Sequence, residues 1–313
     1  MKTTPVTKVD FQRSVLAVPP IARNADFSLN EAANRALIHY LEAGGIRTLM
    51  YGGNANFYHL GLSDLEAAAR QLMDLAGADT WVIPSIGPEY GKALDQARLL
   101  ADFDFPTVMV LPTGFPATPV GAAIGLRKIA ERCGRPVIAY VKSDNYLHPA
   151  DLGALVRDGL VCAVKYGVIR KNPAEDLYLS QILQHVERDR VVSGIGERPA
   201  PQHLRKFGLV SFTSGAVSIA PHLSMALLAA LKTGAHDDAQ RIQAEFLAIE
   251  DLRDANGPIP ALHSAVTLSG IADMGPMLPM LSEVADPAIR ETIERAARAL
   301  RAKDEALGGR KAA

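Results

Sequence analysis

PVIAYVKSDNYLHPADLGALVRDGLVCAVK, residues 136–165, holds two short, β-branched and nearly uncharged runs separated by a polar turn and a helical segment opened by Pro149. The runs are Val137–Val141 and Val161–Lys165. Both lack the polar alternation of a half-solvated strand, so they suit parallel strands covered on both faces. Parallel neighbours need a crossover, usually a helix, and that crossover is right-handed. The stretch therefore reads as one strand–helix–strand unit.

The same rhythm extends in both directions. Further strands are expected at Ser14–Val18, Thr48–Gly52, Trp81–Pro84, Thr107–Leu111, Val191–Ser193 and Val210–Ser214. Helical periodicity marks Leu29–Ala43, Ser63–Gly77, Glu89–Phe103, Val120–Cys133 and Asn172–Arg188. Ser28 before Glu31, and Ser63 with Glu66, read as capping boxes. Gly44-Gly45 and Gly77 read as helix stops, and Pro119, Pro149 and Pro199 as helix starts. Eight such units predict an α/β fold, a closed (β/α)8 TIM barrel over residues 1–234. An open doubly wound sheet would usually carry a Gly-rich phosphate loop after its first strand, but Ala17-Val18-Pro19-Pro20-Ile21 has no glycine. Beyond Gly234 the strand signal stops. Asp237–Ala255, Ala261–Ala272 and Pro287–Leu307 predict a C-terminal helical extension, residues 235–313, packed on the barrel, with Gly308–Ala313 expected to fray.

Composition excludes several classes. The 313 residues are 48% hydrophobic and 21% charged, enough for a buried core and unlike a disordered chain. Thirty-three basic against 34 acidic residues leave a net charge of −1, so neither nucleic acid nor an anionic membrane is an expected partner. Cys133 and Cys162 have neither CxxC nor CxxH spacing, which argues against a disulfide framework or zinc site and for a reducing cytoplasm. No secretory signal and no apolar run of ~18 residues is seen, so a soluble cytoplasmic protein is expected. The eight histidines make no HxH pair at a strand end and no HExxH, and no metal is expected; His59, after the second strand, is the one placed to line a pocket.

In a barrel the chemistry sits at the C-terminal ends of the strands. There the fifth strand ends on Tyr140 and the sixth on Lys165. A lysine partly withdrawn from water has a depressed pKa and becomes a nucleophile toward carbonyl carbon, and a nearby phenol can move the protons. The alternative is a lysine that merely reaches solvent at a strand end. The loop Tyr51-Gly52-Gly53-Asn54-Ala55-Asn56-Phe57-Tyr58 allows tight backbone geometry and exposed N–H donors, a carboxylate cradle or else a simple turn.

These landmarks together resemble the dihydrodipicolinate synthase / N-acetylneuraminate lyase family of Schiff-base lyases. The resemblance spans nearly the whole chain: the Gly-rich loop after strand two, Tyr140, Lys165, Ser193-Gly194, Phe212–Pro221 and Pro258-Ile259-Pro260. It implies an imine between Lys165 and a 2-oxo acid such as pyruvate, with Tyr140 as proton shuttle and no separate cofactor. It also implies Gly53, Asn54, Asn145, Gly194 and Thr213 as substrate-binding residues, and a homo-oligomer, a dimer or a tetramer built from dimers. The apolar Met274–Leu281 run adds weak support for that assembly.

The departures refine the expectation. The family's Gly-Thr-Thr-Gly-Glu loop is replaced by Gly52-Gly53-Asn54-Ala55-Asn56, without either relay hydroxyl. The loop after strand four, Pro112-Thr113-Gly114-Phe115, lacks the tyrosine of dihydrodipicolinate synthases. Asn145 stands where those synthases carry an arginine, although Lys142 supplies charge nearby. The expected activity is therefore an aldolase or dehydratase on a sugar-acid-derived 2-oxo acid, in the branch that includes 5-dehydro-4-deoxyglucarate dehydratase and 2-oxo-3-deoxy acid aldolases, rather than a true dihydrodipicolinate synthase. The alternative is a small-acid-binding or sensor barrel without turnover.

Overall fold

A computed structural model of the chain describes residues 1–312. Eight short parallel strands alternate with helices: β1 (Leu16–Ala17), α1 (Glu31–Ala43), β2 (Thr48–Tyr51), α2 (Leu62–Leu75), β3 (Trp81–Ile86), α3 (Tyr90–Leu100), β4 (Val108–Val110) and α4 (Pro119–Cys133). They continue as β5 (Val137–Val141), α5 (Pro149–Arg157), β6 (Val161–Tyr166), α6 (Leu177–Ile182), β7 (Val191–Ser193), α7 (Ala200–Phe207), β8 (Thr213–Ser214) and α8 (Pro221–Thr233). The sheet runs β7-β6-β5-β4-β3-β2-β1-β8. A parallel bridge between Ser193 and Phe212 joins its ends, and the Gly196 N–H donates to the Thr213 carbonyl at 3.0 Å. The barrel of the TIM type is thereby nearly closed.

The strands are buried on both faces, as their uncharged sequences require. Every Leu, Ile or Phe fully withdrawn from water here contributes ~1.5–3 kcal/mol. Trp81 is completely buried and meets Phe11 edge-on, with ring centroids 5.1 Å apart. β3 runs past Pro84, its expected end. It pairs with β2 through Pro84 and with β4 from Ser85 onward, so the residue without an N–H falls at the handover between ladders.

Two of the expected caps are corrected. The N-cap of α1 is Asn30, whose side chain accepts the Ala33 N–H at 3.0 Å, while the Ser28 hydroxyl donates to Asp26. α2 begins at Leu62 behind Gly61, so Ser63 lies inside the helix and caps nothing; Glu66 pairs instead with Arg70 one turn on.

Three further helices complete the chain, α9 (His236–Asn256), α10 (Pro258–Leu268) and α11 (Pro287–Ala312). α10 packs over the turn after β2, and α11 packs on α8, α9 and α10. Asp304 of α11 is buried, accepts the Leu223 N–H at 2.8 Å and lies 2.9 Å from His222 Nδ1, which ties α11 to the start of α8. The tail expected to fray is helical through Ala312, and Ala313 lies outside the described residues. Met274, Met277 and Leu278 are core, while Met280 is exposed. Among the described residues no helix is long and apolar enough to cross a membrane.

Candidate active site

Paired residues on neighbouring strands point the same way, so the register of β5 on β6 determines which side chains meet. Val137 is opposite Val161, but Ile138 is opposite Ala163: one extra residue, Cys162, is accommodated in β6. That irregularity shifts the rest of the ladder by one and sets Tyr140 directly opposite Lys165. Without it Tyr140 would face Val164, and the lysine would point to the other face.

Lys165 Nζ lies 4.3 Å from the centre of the Tyr140 ring. The lysine is 5% exposed and has no carboxylate partner among the described residues. Burial lowers its pKa to about 7, and the Lys142 ammonium at the rim pushes in the same direction. Burial raises the Tyr140 phenol well above its ordinary value, with Tyr58 adding to the effect. The pair therefore presents a substantially neutral amine beside a protonated phenol. These are the states in which an amine attacks a carbonyl and an acid assists departure of water.

Two glycines make room for it. The Tyr140 ring lies against Gly167, where a Cβ would stand 2.8 Å from Tyr140 Cε2. A Cβ on Gly194 would stand 3.0 Å from Lys165 Cγ and 2.7 Å from the Tyr166 carbonyl, to which the Gly194 N–H donates at 2.6 Å.

The loop after β2 is a 3₁₀ turn, Gly53–Ala55, with Asn56 next in the left-handed conformation at φ 61°. Asn56 accepts the Leu278 N–H at 3.0 Å, and Asn54 Nδ2 donates to the Val18 carbonyl at 2.8 Å. Both asparagines thus pin the loop. The backbone N–H groups of Gly53 and Asn54 open the 3₁₀ turn, where the turn itself offers them no acceptor, and are the donors left for a carboxylate.

Lys165, Tyr140, Gly53, Asn54, Gly194 and Thr213 all line one cavity of about 520 Å³ at the C-terminal mouth of the barrel. Asn145 does not. It occupies an exposed left-handed turn at φ 57°, outside the cavity wall, and Lys142 of the same loop reaches the cavity instead. His59 is likewise exposed and away from the wall. Cys133 and Cys162 are free thiols. Among the described residues no three His, Cys, Asp or Glu side chains cluster as a metal ion would need.

Other wall residues were not anticipated. Tyr58, in the second 3₁₀ turn after β2, lies beside Gly53, and burial lifts its phenol to about 12. His203 is 1% exposed, its Nδ1 lies 2.9 Å from Ser193 Oγ, and burial depresses it to about 4, so the ring is neutral. Arg170, Arg198 and Arg253 bring positive charge to the outer wall, where Asp254 is the one carboxylate among the described residues. Arg253 is fixed from behind: Nη1 donates to the Ile195 carbonyl at 3.0 Å and to Glu250 at 2.6 Å. Glu250 is itself buried beside Glu197, whose Oε1 takes the Ser224 hydroxyl at 2.8 Å, and desolvation raises Glu250 to about 8.

Comparison with known proteins agrees with this architecture. The chain is similar to dihydrodipicolinate synthase from Oceanobacillus iheyensis, with a TM-score of 0.82 at 21% identity over 93% of this chain and 97% of that one. Sialic acid aldolase from Ruminococcus gnavus gives a TM-score of 0.82 at 13% identity, covering 95% and 99%. A prophage protein of the dihydrodipicolinic acid synthase family from E. coli K12, in complex with pyruvate, gives 0.77 at 19% identity, covering 92% and 98%. These likenesses show the fold. No curated protein matches the chain. The model of the Dihydrodipicolinate synthetase family, however, matches residues 12–297. With that match spanning the barrel and most of the C-terminal helical extension, the chain belongs to the Dihydrodipicolinate synthetase family.

Proposed function

We propose that this protein is a lysine-imine lyase, an aldolase or dehydratase acting on a sugar-acid-derived 2-oxo acid. The observation that carries the reading is the buried, carboxylate-free Lys165 set in register against Tyr140. The neutral amine adds to the ketone carbon and Tyr140 protonates the departing hydroxyl, so water leaves and an iminium forms. In an aldol cleavage the iminium takes up the electron pair of the C3–C4 bond while the C4 hydroxyl gives up its proton and an aldehyde leaves. In a dehydration it takes up the pair of a C3–H bond as that proton is removed, and the enamine so formed expels the protonated C4 hydroxyl as water. Hydrolysis returns the free lysine. The electron sink is the lysine–substrate adduct itself, so the reading calls for no separate cofactor.

Gly53 and Asn54 offer their N–H groups to the carboxylate next to the ketone, and Gly194 and Thr213 line the same cavity. The second phenol of the wall, Tyr58, supplies the hydroxyl that Asn54 cannot, and passes protons between Tyr140 and solvent. A dihydrodipicolinate synthase is disfavoured on the same grounds: Asn145 is exposed away from the cavity, and the loop after β4 carries Phe115 rather than a phenol. Phe115, Val120 and Ile124, all exposed on the β4–α4 face, support a homo-oligomer.

Product analysis by NMR with a set of 2-oxo-3-deoxy sugar acids tests the reading. Released pyruvate identifies an aldolase and loss of water a dehydratase, each abolished in Lys165→Ala. Ligand-induced thermal stabilisation without any product would replace the reading by a binding protein.

A further inference from the structure

The turn after β1 folds back on itself. Arg23 pairs with Leu29 in an antiparallel bridge, the Asn24 N–H donates to the Ser28 carbonyl at 2.8 Å, and Phe27 stands in the left-handed conformation at φ 66°. The Arg23 side chain is drawn into this turn, and the residue is 4% exposed. Its Nη1 donates to the Phe27 carbonyl at 2.7 Å. Its Nε and Nη2 are buried and meet no acceptor among the described residues. No carboxylate pairs with this guanidinium either, among the described residues: Asp64, exposed on α2, acts on it only through its field.

A buried guanidinium is costly to leave unmatched, and it cannot shed its charge as a lysine can. The two idle nitrogens share one edge, along which their N–H bonds run parallel, a spacing that grips two oxygens of one anion. The chain itself shows what such an edge holds. Arg170 sets the same edge on the buried Asp176, with Nε 2.9 Å from Oδ2 and Nη2 3.0 Å from Oδ1. Arg23 presents that edge without the carboxylate.

Arg23 lies outside the wall of the Lys165 cavity. The segment after α10 covers it: the Arg23 N–H donates to the Met274 carbonyl at 3.0 Å, and a Cβ on Gly275 would stand 1.9 Å from the Arg23 carbonyl. Phe27, Pro276 and Met277 also line a surface hollow of about 560 Å³, where Arg290 adds a second guanidinium 3.6 Å from Glu283. That hollow brings solvent to Phe27, the residue whose carbonyl holds the arginine.

We infer that the Nε–Nη2 edge of Arg23 is an oxyanion site, separate from the imine cavity, that takes a small carboxylate or phosphate through two parallel hydrogen bonds. It does not rest on the imine reading at Lys165.

Thermal unfolding of the full chain in sodium formate or sodium phosphate, at an ionic strength held fixed with sodium fluoride, tests the site. The expected result is a rise in Tm of about 2–5 °C that saturates at millimolar anion. Formate reports a carboxylate occupant and phosphate a tetrahedral one. Arg23→Met loses the saturable rise, while its Tm without either anion equals or exceeds that of the wild type, because an unmatched charge has gone. Arg23→Lys keeps the charge without the fork, and half-saturation moves up by about tenfold or more. Lys165→Ala keeps the full response. No rise with either anion overturns the inference. So does a rise of equal size in Arg23→Met, which belongs to the barrel cavity or to general exclusion of salt from the surface. A rise that disappears in Lys165→Ala also overturns it and assigns the anion to the imine cavity.

Discussion

Tyr140 and Lys165 face each other across β5 and β6 only because β6 accommodates Cys162 as an extra residue lower in the ladder. The irregularity converts two strand-end residues into an interacting pair, with the amine nitrogen 4.3 Å from the ring centre. It also carries the lysine to the buried side, and the chemistry is a consequence of that burial. Desolvation brings the amine to about 7, and the same desolvation keeps the phenol protonated.

Lys142 is the positive charge that acts on that amine. Lys142→Met removes a repulsion on the ammonium form of Lys165, so its pKa rises. The acid limb of the pH–rate profile then moves to higher pH, and the rate at pH 6.5 falls roughly twofold or more. An unmoved limb would show that burial alone sets the lysine.

Replacement of Tyr140 by Phe preserves the ring that packs on Gly167 and removes only the hydroxyl. Turnover should fall by about 10²–10⁴, the range of a lost general acid–base group. Tyr58→Phe should cost less, on the order of tenfold, since it acts through Tyr140. Equal losses in steady-state kinetics would argue that Tyr58, and not Tyr140, touches the substrate.

Gly194→Ala forces a Cβ to within 2.7 Å of the Tyr166 carbonyl and 3.0 Å of Lys165 Cγ. Overpacking of this kind costs about 1–3 kcal/mol. A lower Tm should accompany slower labelling of the lysine by a 2-oxo acid. Wild-type values for both would mean that β7 yields freely there.

Glu250 offers a test of stability rather than rate. Its folded pKa of about 8 lies above the ordinary 4.5, so between those values the folded state holds a proton that the unfolded chain has lost. Stability from this group is therefore fully present below about pH 4.5 and is lost as pH rises toward 8. Glu250→Gln keeps a neutral hydrogen-bonding side chain beside Arg253 and should flatten the fall in Tm between pH 5 and 8. An unaltered slope would place the buried proton on Glu197.

Much of the fold was legible because most strands are short, nearly uncharged runs and most of the barrel helices are amphipathic; Val137–Val141 and Val191–Ser193 match residue for residue. Pro84 misled because a lone strand with proline looks terminated, whereas the handover from β2 to β4 occurs there in three dimensions. Ser28 and Ser63 misled because Asn30 and Gly61 compete for the same caps. At the site, Lys165 and Tyr140 stood at strand ends and could be read. Arg170, His203 and Arg253 could not: each reaches the cavity from a loop or an outer helix, where periodicity says nothing about direction. Asn145 was placed by its distance from Tyr140, but a left-handed turn aims the chain elsewhere.

Borohydride reduction in the presence of pyruvate, with the product read by peptide mass spectrometry, tests the central claim most directly. The account predicts a reduced three-carbon adduct on the peptide containing Lys165 and on no other lysine, lost in Lys165→Ala. An adduct on a different lysine, or none with pyruvate or any other 2-oxo acid, would contradict it.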